Sequence, residues 1–240
     1  MINLAISLGA AILLAVLLHW PLGVTPVLGI LLGLIPGILL FIYLGKRAQG
    51  KMEKIFERAS EQLKRQQWEP AIEIMKEAYA LAPWQFMVKG SVDGQIGTFQ
   101  YIRNKHSEAE PLLKSASMNH YIAKVMLAIL QWKRGEKGSA KKTFDLALKS
   151  GKKESLIYAV YAYVLNEMHE RDTAIAILNE GLKNCKNDER LMSNRTLLQN
   201  KKPMKMKVYG DQWYQFMLER PVIRQAPPPF ARMSKRMIRG

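Results

Sequence analysis

The first 45 residues contain no Lys, Arg, Asp or Glu, so every formal charge of this 240-residue chain, net +16, falls on the remainder. That division joins an apolar head, which water accepts poorly, to a soluble and basic body. Within the head, Ile2 to Leu18 and Leu22 to Leu44 are almost wholly apolar. As helices they extend roughly 25 and 35 Å, against a hydrocarbon core of about 30 Å. Between them, His19-Trp20-Pro21-Leu22-Gly23 reads as a tight turn, because Trp and His favour the membrane interface and proline disfavours helix at the residue before it. Residues 1–45 are therefore expected to form a transmembrane helical hairpin, an anchor of two transmembrane helices.

Lys46, Arg47, Lys51 and Lys54 follow the second span, whereas the turn carries no Lys or Arg. The positive-inside rule then puts the Lys46 end and both termini in the cytoplasm, the inner or plasma membrane being the host in a bacterium. A secretory signal peptide would need a basic stretch before the apolar run and a small-x-small site near His19-Trp20. Neither is present. A single span from Leu22, with residues 2–18 in the interface, would need a polar face that the first segment lacks. Gly29, Gly33 and Gly37 recur every four residues and mark one helical face, and Ala11 and Ala15 offer a matching strip on the first span. These glycines are assigned to membrane-helix packing, within the hairpin ahead of any contact with another subunit. Pro26 and Pro36 read as kinks.

The body is periodic. Ala71, Ala109, Ala140 and Ala174 stand 38, 31 and 34 residues apart. Seven residues beyond each come Ala78, Ala116, Ala147 and Gly181, and twelve before each come Ala59, Gly97, Ala128 and Ala162. Four residues past the anchors the side chains are bulky and apolar: Met75, Leu113, Phe144 and Leu178. A period of this length signals stacked supersecondary units.

The pattern resembles the tetratricopeptide repeat (TPR) family over roughly Met52 to Lys186. The resemblance implies units of two antiparallel helices, with small residues where helices cross closely and a large one filling the gap between units. Gln66, Asn104, Gly135 and His169 would occupy the turns inside the units, and Asn and Gly suit a left-handed conformation there better than Gln and His. The second unit is irregular, with four extra residues around Trp84 to Gly90. Other helical-hairpin repeats, such as Sel1-like units, share much of this pattern.

The expected fold class is thus all-α. An N-terminal transmembrane helical hairpin (1–45) and a basic juxtamembrane linker (46–51) lead into a TPR-like α-solenoid of about four repeats with a capping helix (52–202). An aromatic, then Pro-rich and basic C-terminal segment follows (203–240). By the resemblance, the first helix of each unit lines a concave groove, which places Phe56, Leu63, Thr98, Tyr101, Ile129, Trp132, Tyr163 and Asn166 on a protein-binding surface. That surface is apolar and aromatic and lacks the Lys, Arg and Asn that grip a peptide carboxylate in some members. Its aromatic stripe suits an amphipathic or extended peptide. Core packing, or cover by the chain's own Trp213, Phe216 and Met217, is an equal reading of the same residues.

Residues 201–240 hold ten Lys or Arg against Asp211 and Glu219, a balance of +8 and half the chain's excess. For a tethered domain, anionic lipid headgroups are the nearest partner, at about 1 kcal/mol per basic residue near the surface. Lys46, Arg47, Arg232, Lys235, Arg236 and Arg239 are the expected lipid-surface residues. A solvated tail that only aids orientation is an equally simple reading, and nucleic acid ranks lower because no recognised nucleic-acid fold accompanies the charge.

Cys185 stands alone and His106, His120 and His169 have no ligand spacing. No phosphate loop, nucleophile with a base, or paired carboxylates are evident, so no catalytic, metal or cofactor residues are assigned. Asn194-Arg195-Thr196 spells a glycosylation acceptor that the expected topology keeps from the modifying compartment. The functional expectation is a non-enzymatic adaptor or scaffold that recruits proteins to the cytoplasmic face of a membrane. A permanent structural or assembly subunit of a larger membrane complex is the main alternative, and a membrane tether for nucleic acid is the lesser one.

Overall fold

The computed structural model describes residues 1–23, 25–186 and 188–220, apart from the side chains of residues 21 and 22. The described residues are all-helical, with no strand. Helix α1 (Ile2–Leu22) is apolar on every side and ends at Gly23, whose left-handed backbone lets its amide donate to the carbonyl of His19 at 3.1 Å. Helix α2 (Pro26–Lys64) begins with Thr25 at the N-cap and Pro26 in the first turn, where its missing N–H costs nothing. Pro26 therefore starts the helix; Pro36 alone lies inside it.

Helices α1 and α2 pack along their small-residue strips. A Cβ on Gly33 would stand 2.5 Å from the Ala11 carbonyl oxygen, and one on Gly37 would stand 2.8 Å from the Ala11 Cβ. The backbones approach as closely as atoms permit, and only glycine fits. Leu13, Val16, Leu31, Ile35 and Leu39 point outward and stay exposed. Both helices are long and apolar enough to cross a membrane.

Helix α2 does not stop where the apolar run ends. Residues 46–51, expected from sequence to be a linker, are helical and internal to α2, and Ala48 and Ala59 are both buried. One rod of 39 residues, roughly 58 Å long, runs from the apolar hairpin into the basic body.

The body is built from consecutive helical pairs. Helix α2 pairs with α3 (Trp68–Lys76), which continues as a 3-10 turn over Glu77–Leu81. Then come α4 (Val88–Ile102) with α5 (His106–Ser115), α6 (Tyr121–Lys133) with α7 (Lys137–Ser150), and α8 (Ser155–Glu167) with α9 (Arg171–Asn184). Helix α10 (Glu189–Gln199) closes the stack against α8 and α9. The turns within pairs are short, and Gln66, Asn104, Gly135 and His169 all have positive φ, between 61° and 85°. The two residues least suited to that region, Gln66 and His169, adopt it as the others do.

The periodic small residues sit where helices cross. Ala59, Ala71, Ala78, Ala109, Ala128, Ala140, Ala147, Ala162 and Ala174 have no exposed surface, and Met75, Leu113, Phe144 and Leu178 fill the spaces beside them. Two apolar clusters result. A small one lies between α2, α3 and the first half of α4; a larger one runs from Tyr101 through α6 and α8 to α10 and takes in the segment after it.

Candidate functional site

The positions that the resemblance assigns to a groove fall on α2, α4, α6 and α8, and they differ in burial. On α2, Phe56 and Leu63 are half-buried at the edge of the small cluster. On α4 and α6, Thr98, Tyr101 and Ile129 are buried, and Thr98 turns its hydroxyl back to the Gly94 carbonyl at 2.8 Å. Trp132, Tyr163 and Asn166 are half-buried. Tyr101 and Ile129 thus belong to the larger apolar cluster, and Tyr101 is also covered from outside its own helical pair.

That cover is the chain's own segment after α10. Residues Met206–Tyr209 form a 3-10 turn and α11 (Asp211–Tyr214) a single helical turn. Met206, Tyr209, Trp213 and Phe216 enter the larger cluster, and Trp213 has no exposed surface. The Trp213 ring meets Tyr163 edge-on, with centroids 5.0 Å apart and planes at 70°, the arrangement in which ring edge meets ring face.

Polar contacts hold the backbone of this segment. The Tyr101 hydroxyl donates to the Phe216 carbonyl at 2.6 Å, and Lys133 Nζ donates to the Met217 carbonyl at 3.4 Å. Asn194 Oδ1 accepts from the Lys205 amide at 2.7 Å, and the Arg190 guanidinium lies 4.8 Å from the centre of the Tyr209 ring. Burial pushes the Tyr101 hydroxyl well above its ordinary pKa and draws the Lys133 ammonium below its own. Tyr101 therefore stays a neutral donor across the physiological range. Side-chain donors directed at carbonyls, with room for large rings, hold this turned apolar segment by its main chain and its aromatics.

The sequence singles out Trp213, Phe216 and Met217 as a face that must bury, at helical spacing. The structure buries Trp213 and Phe216 but ends the helix at Tyr214, and Met217 turns the chain with φ of 52°. Asn194 heads the glycosylation-acceptor pattern, yet it is 1% exposed and fixes the start of the segment. Nothing in the linear pattern signals that role, since its partner is a main-chain amide 11 residues on.

Lys46 and Arg47 are exposed where the apolar stretch of α2 ends. Arg232, Lys235, Arg236 and Arg239 lie outside the described residues. Among the described residues no three His, Cys, Asp or Glu side chains gather as a metal cluster. No protein-family model matches this chain, and no curated protein matches it.

Proposed function

We propose that this protein is a non-enzymatic scaffold, integral to a membrane, that presents a stack of TPR-like helical pairs at the cytoplasmic face. The observation that carries this reading is the continuity of α2. Its first half is apolar and exposed, its second half is the first helix of the stack, and no flexible joint separates them. A rod of this kind holds a binding surface at a set height and azimuth above a bilayer, which raises the local concentration of whatever it holds. The basic residues after the apolar stretch support the cytoplasmic assignment.

The partner surface on this reading is the half-buried edge of α2 at Phe56 and Leu63, apart from the cluster that the C-terminal segment joins. The alternative of a permanent subunit held through a glycine face has less support, because Gly29, Gly33 and Gly37 are already spent on α1. No specific observation favours the nucleic-acid reading.

Fractionation tests the anchor: detergent, and neither high salt nor alkaline carbonate, is expected to release the full chain from membranes. Recovery in the aqueous fraction overturns it. For the scaffold, a photo-crosslinking side chain at Phe56 or Leu63 in intact cells is expected to give a defined adduct with another protein, while one at Tyr163 gives an internal adduct with the C-terminal segment. An anchored chain with no adduct at Phe56 and Leu63 removes the proposed surface.

A further inference from the structure

The connection Pro83-Trp84-Gln85-Phe86-Met87 joins the first helical pair to the second and contains the residues that break the repeat spacing. It packs on the beginning of the apolar hairpin. The amides of Ile2 and Asn3 donate to the carbonyls of Pro83 and Trp84 at 2.8 and 3.1 Å. Those amides belong to the first turn of α1, where no carbonyl of the helix itself can serve them. The connection therefore caps α1. On the other side, Gln85 lies against Gly45 of α2, and Trp84 shares a shallow depression with Asn3, Leu44, Arg47 and Lys51.

These contacts place the connection at the level where the apolar stretch of α2 gives way to basic residues. At that level Trp84 is 44% exposed and Phe86 67% exposed, and Tyr43 of α2 is 62% exposed. At the other end of α1, Trp20 is 86% exposed. Aromatic side chains at both ends of an apolar span match the two interfacial belts of a bilayer, where a ring has acyl chain on one side and headgroups on the other.

We propose that Trp84 and Phe86 form a third membrane contact, beside α1 and α2, inserting into the headgroup and acyl boundary of the cytoplasmic leaflet. Lys46, Arg47 and Lys51 beside them meet the lipid phosphates. The occupant is lipid because the connection is continuous, through hydrogen bonds, with a helix whose outward surface is apolar. Two spans alone leave the rigid unit of hairpin and stack free to tilt as a whole in the bilayer, and a third point fixes the tilt. The extra residues of the second unit are that point.

This inference rests on the hairpin crossing a membrane, and the test separates the two. The full chain carrying Cys185→Ser is reconstituted, one copy per disc, into phosphatidylcholine and phosphatidylglycerol nanodiscs. Single cysteines enter by Ile30→Cys at an exposed position of α2, Phe86→Cys in the connection, or Ser139→Cys at an exposed position of α7. Each carries an environment-sensitive dye, and doxyl-labelled lipids serve as quenchers. The expected result is strong quenching at positions 30 and 86, with blue-shifted emission, and none at 139. Quenching at 30 without quenching at 86 overturns the third contact and leaves the anchor standing. Absence of quenching at 30 overturns both. A dye at 86 that is shielded in lipid-free detergent, and more so as protein concentration rises, assigns the patch to a second copy and also overturns the lipid proposal.

Discussion

At Gly33 an added methyl group would stand 2.5 Å from the Ala11 carbonyl oxygen, and its other near neighbours are also α1 backbone, so separation of α1 and α2 is what relieves the clash. Gly33→Ala is expected to destabilise the hairpin by about 1–3 kcal/mol, measured by denaturant titration of the full chain in detergent micelles. Gly9→Ala is the control: nothing lies within 4 Å of a methyl group there. At the far end of the stack, Asp188 caps α10 by accepting from the amides of Arg190 and Leu191 at 2.9 and 3.3 Å. Its hydrogen bond to the Arg190 guanidinium is the main cause that holds its carboxyl at a pKa of about 2, below the ordinary 3.8. A depressed native pKa stabilises the fold above the unfolded value. The contribution is therefore complete above pH 3.8 and disappears as pH falls from there through about 2. Asp188→Ala should cost about 1 kcal/mol at neutral pH and less below that window, where the neutral carboxyl still accepts from the amides, read by thermal unfolding across the pH series.

Among elements, the segment after α10 supplies Trp213, the largest fully buried side chain among the described residues. Trp213→Ala removes a fully buried indole and is expected to cost about 3–5 kcal/mol and to raise apolar-dye binding as Tyr163 and the cluster around it open to solvent. Tyr101→Phe keeps the ring and removes only the donor to Phe216. It should cost about 1–3 kcal/mol, because a buried carbonyl loses its partner, and leave dye binding near the native level. Calorimetry with a dye titration distinguishes the two. The helical pairs themselves are legible in the sequence, since Ala59, Ala71, Met75 and their counterparts repeat at a regular spacing and the turn residues fall at matching offsets. The burial of the segment after α10 is legible only in half: Trp213 and Phe216 are too apolar to stay in water, and nothing nearby in the chain says where they go.

For the whole molecule, the uninterrupted α2 makes the stack and the hairpin one mechanical unit. Inserting two residues after Gly50 turns everything beyond by about 200° and moves it about 3 Å further from the apolar half. The amides of Ile2 and Asn3 then lose Pro83 and Trp84. Membrane retention and helix content should be unchanged, while dye quenching at position 86 is expected to fall to the level at position 139. A retained signal at 86 would mean that the connection finds the bilayer without help from α1. An apolar head, a body of repeated helical units and, through the resemblance that the repeat suggests, the turns at Asn104 and Gly135 are legible in the order of residues. Those features depend on local composition and short periodicity, which one stretch of chain records without reference to any other. Folding in three dimensions adds what periodicity does not record: that residues 46–51 continue a helix, that Pro83 and Trp84 cap α1, and that Phe216 is held by Tyr101. The last pair stand 115 residues apart, and such contacts are chosen by competition among distant surfaces for the same buried space.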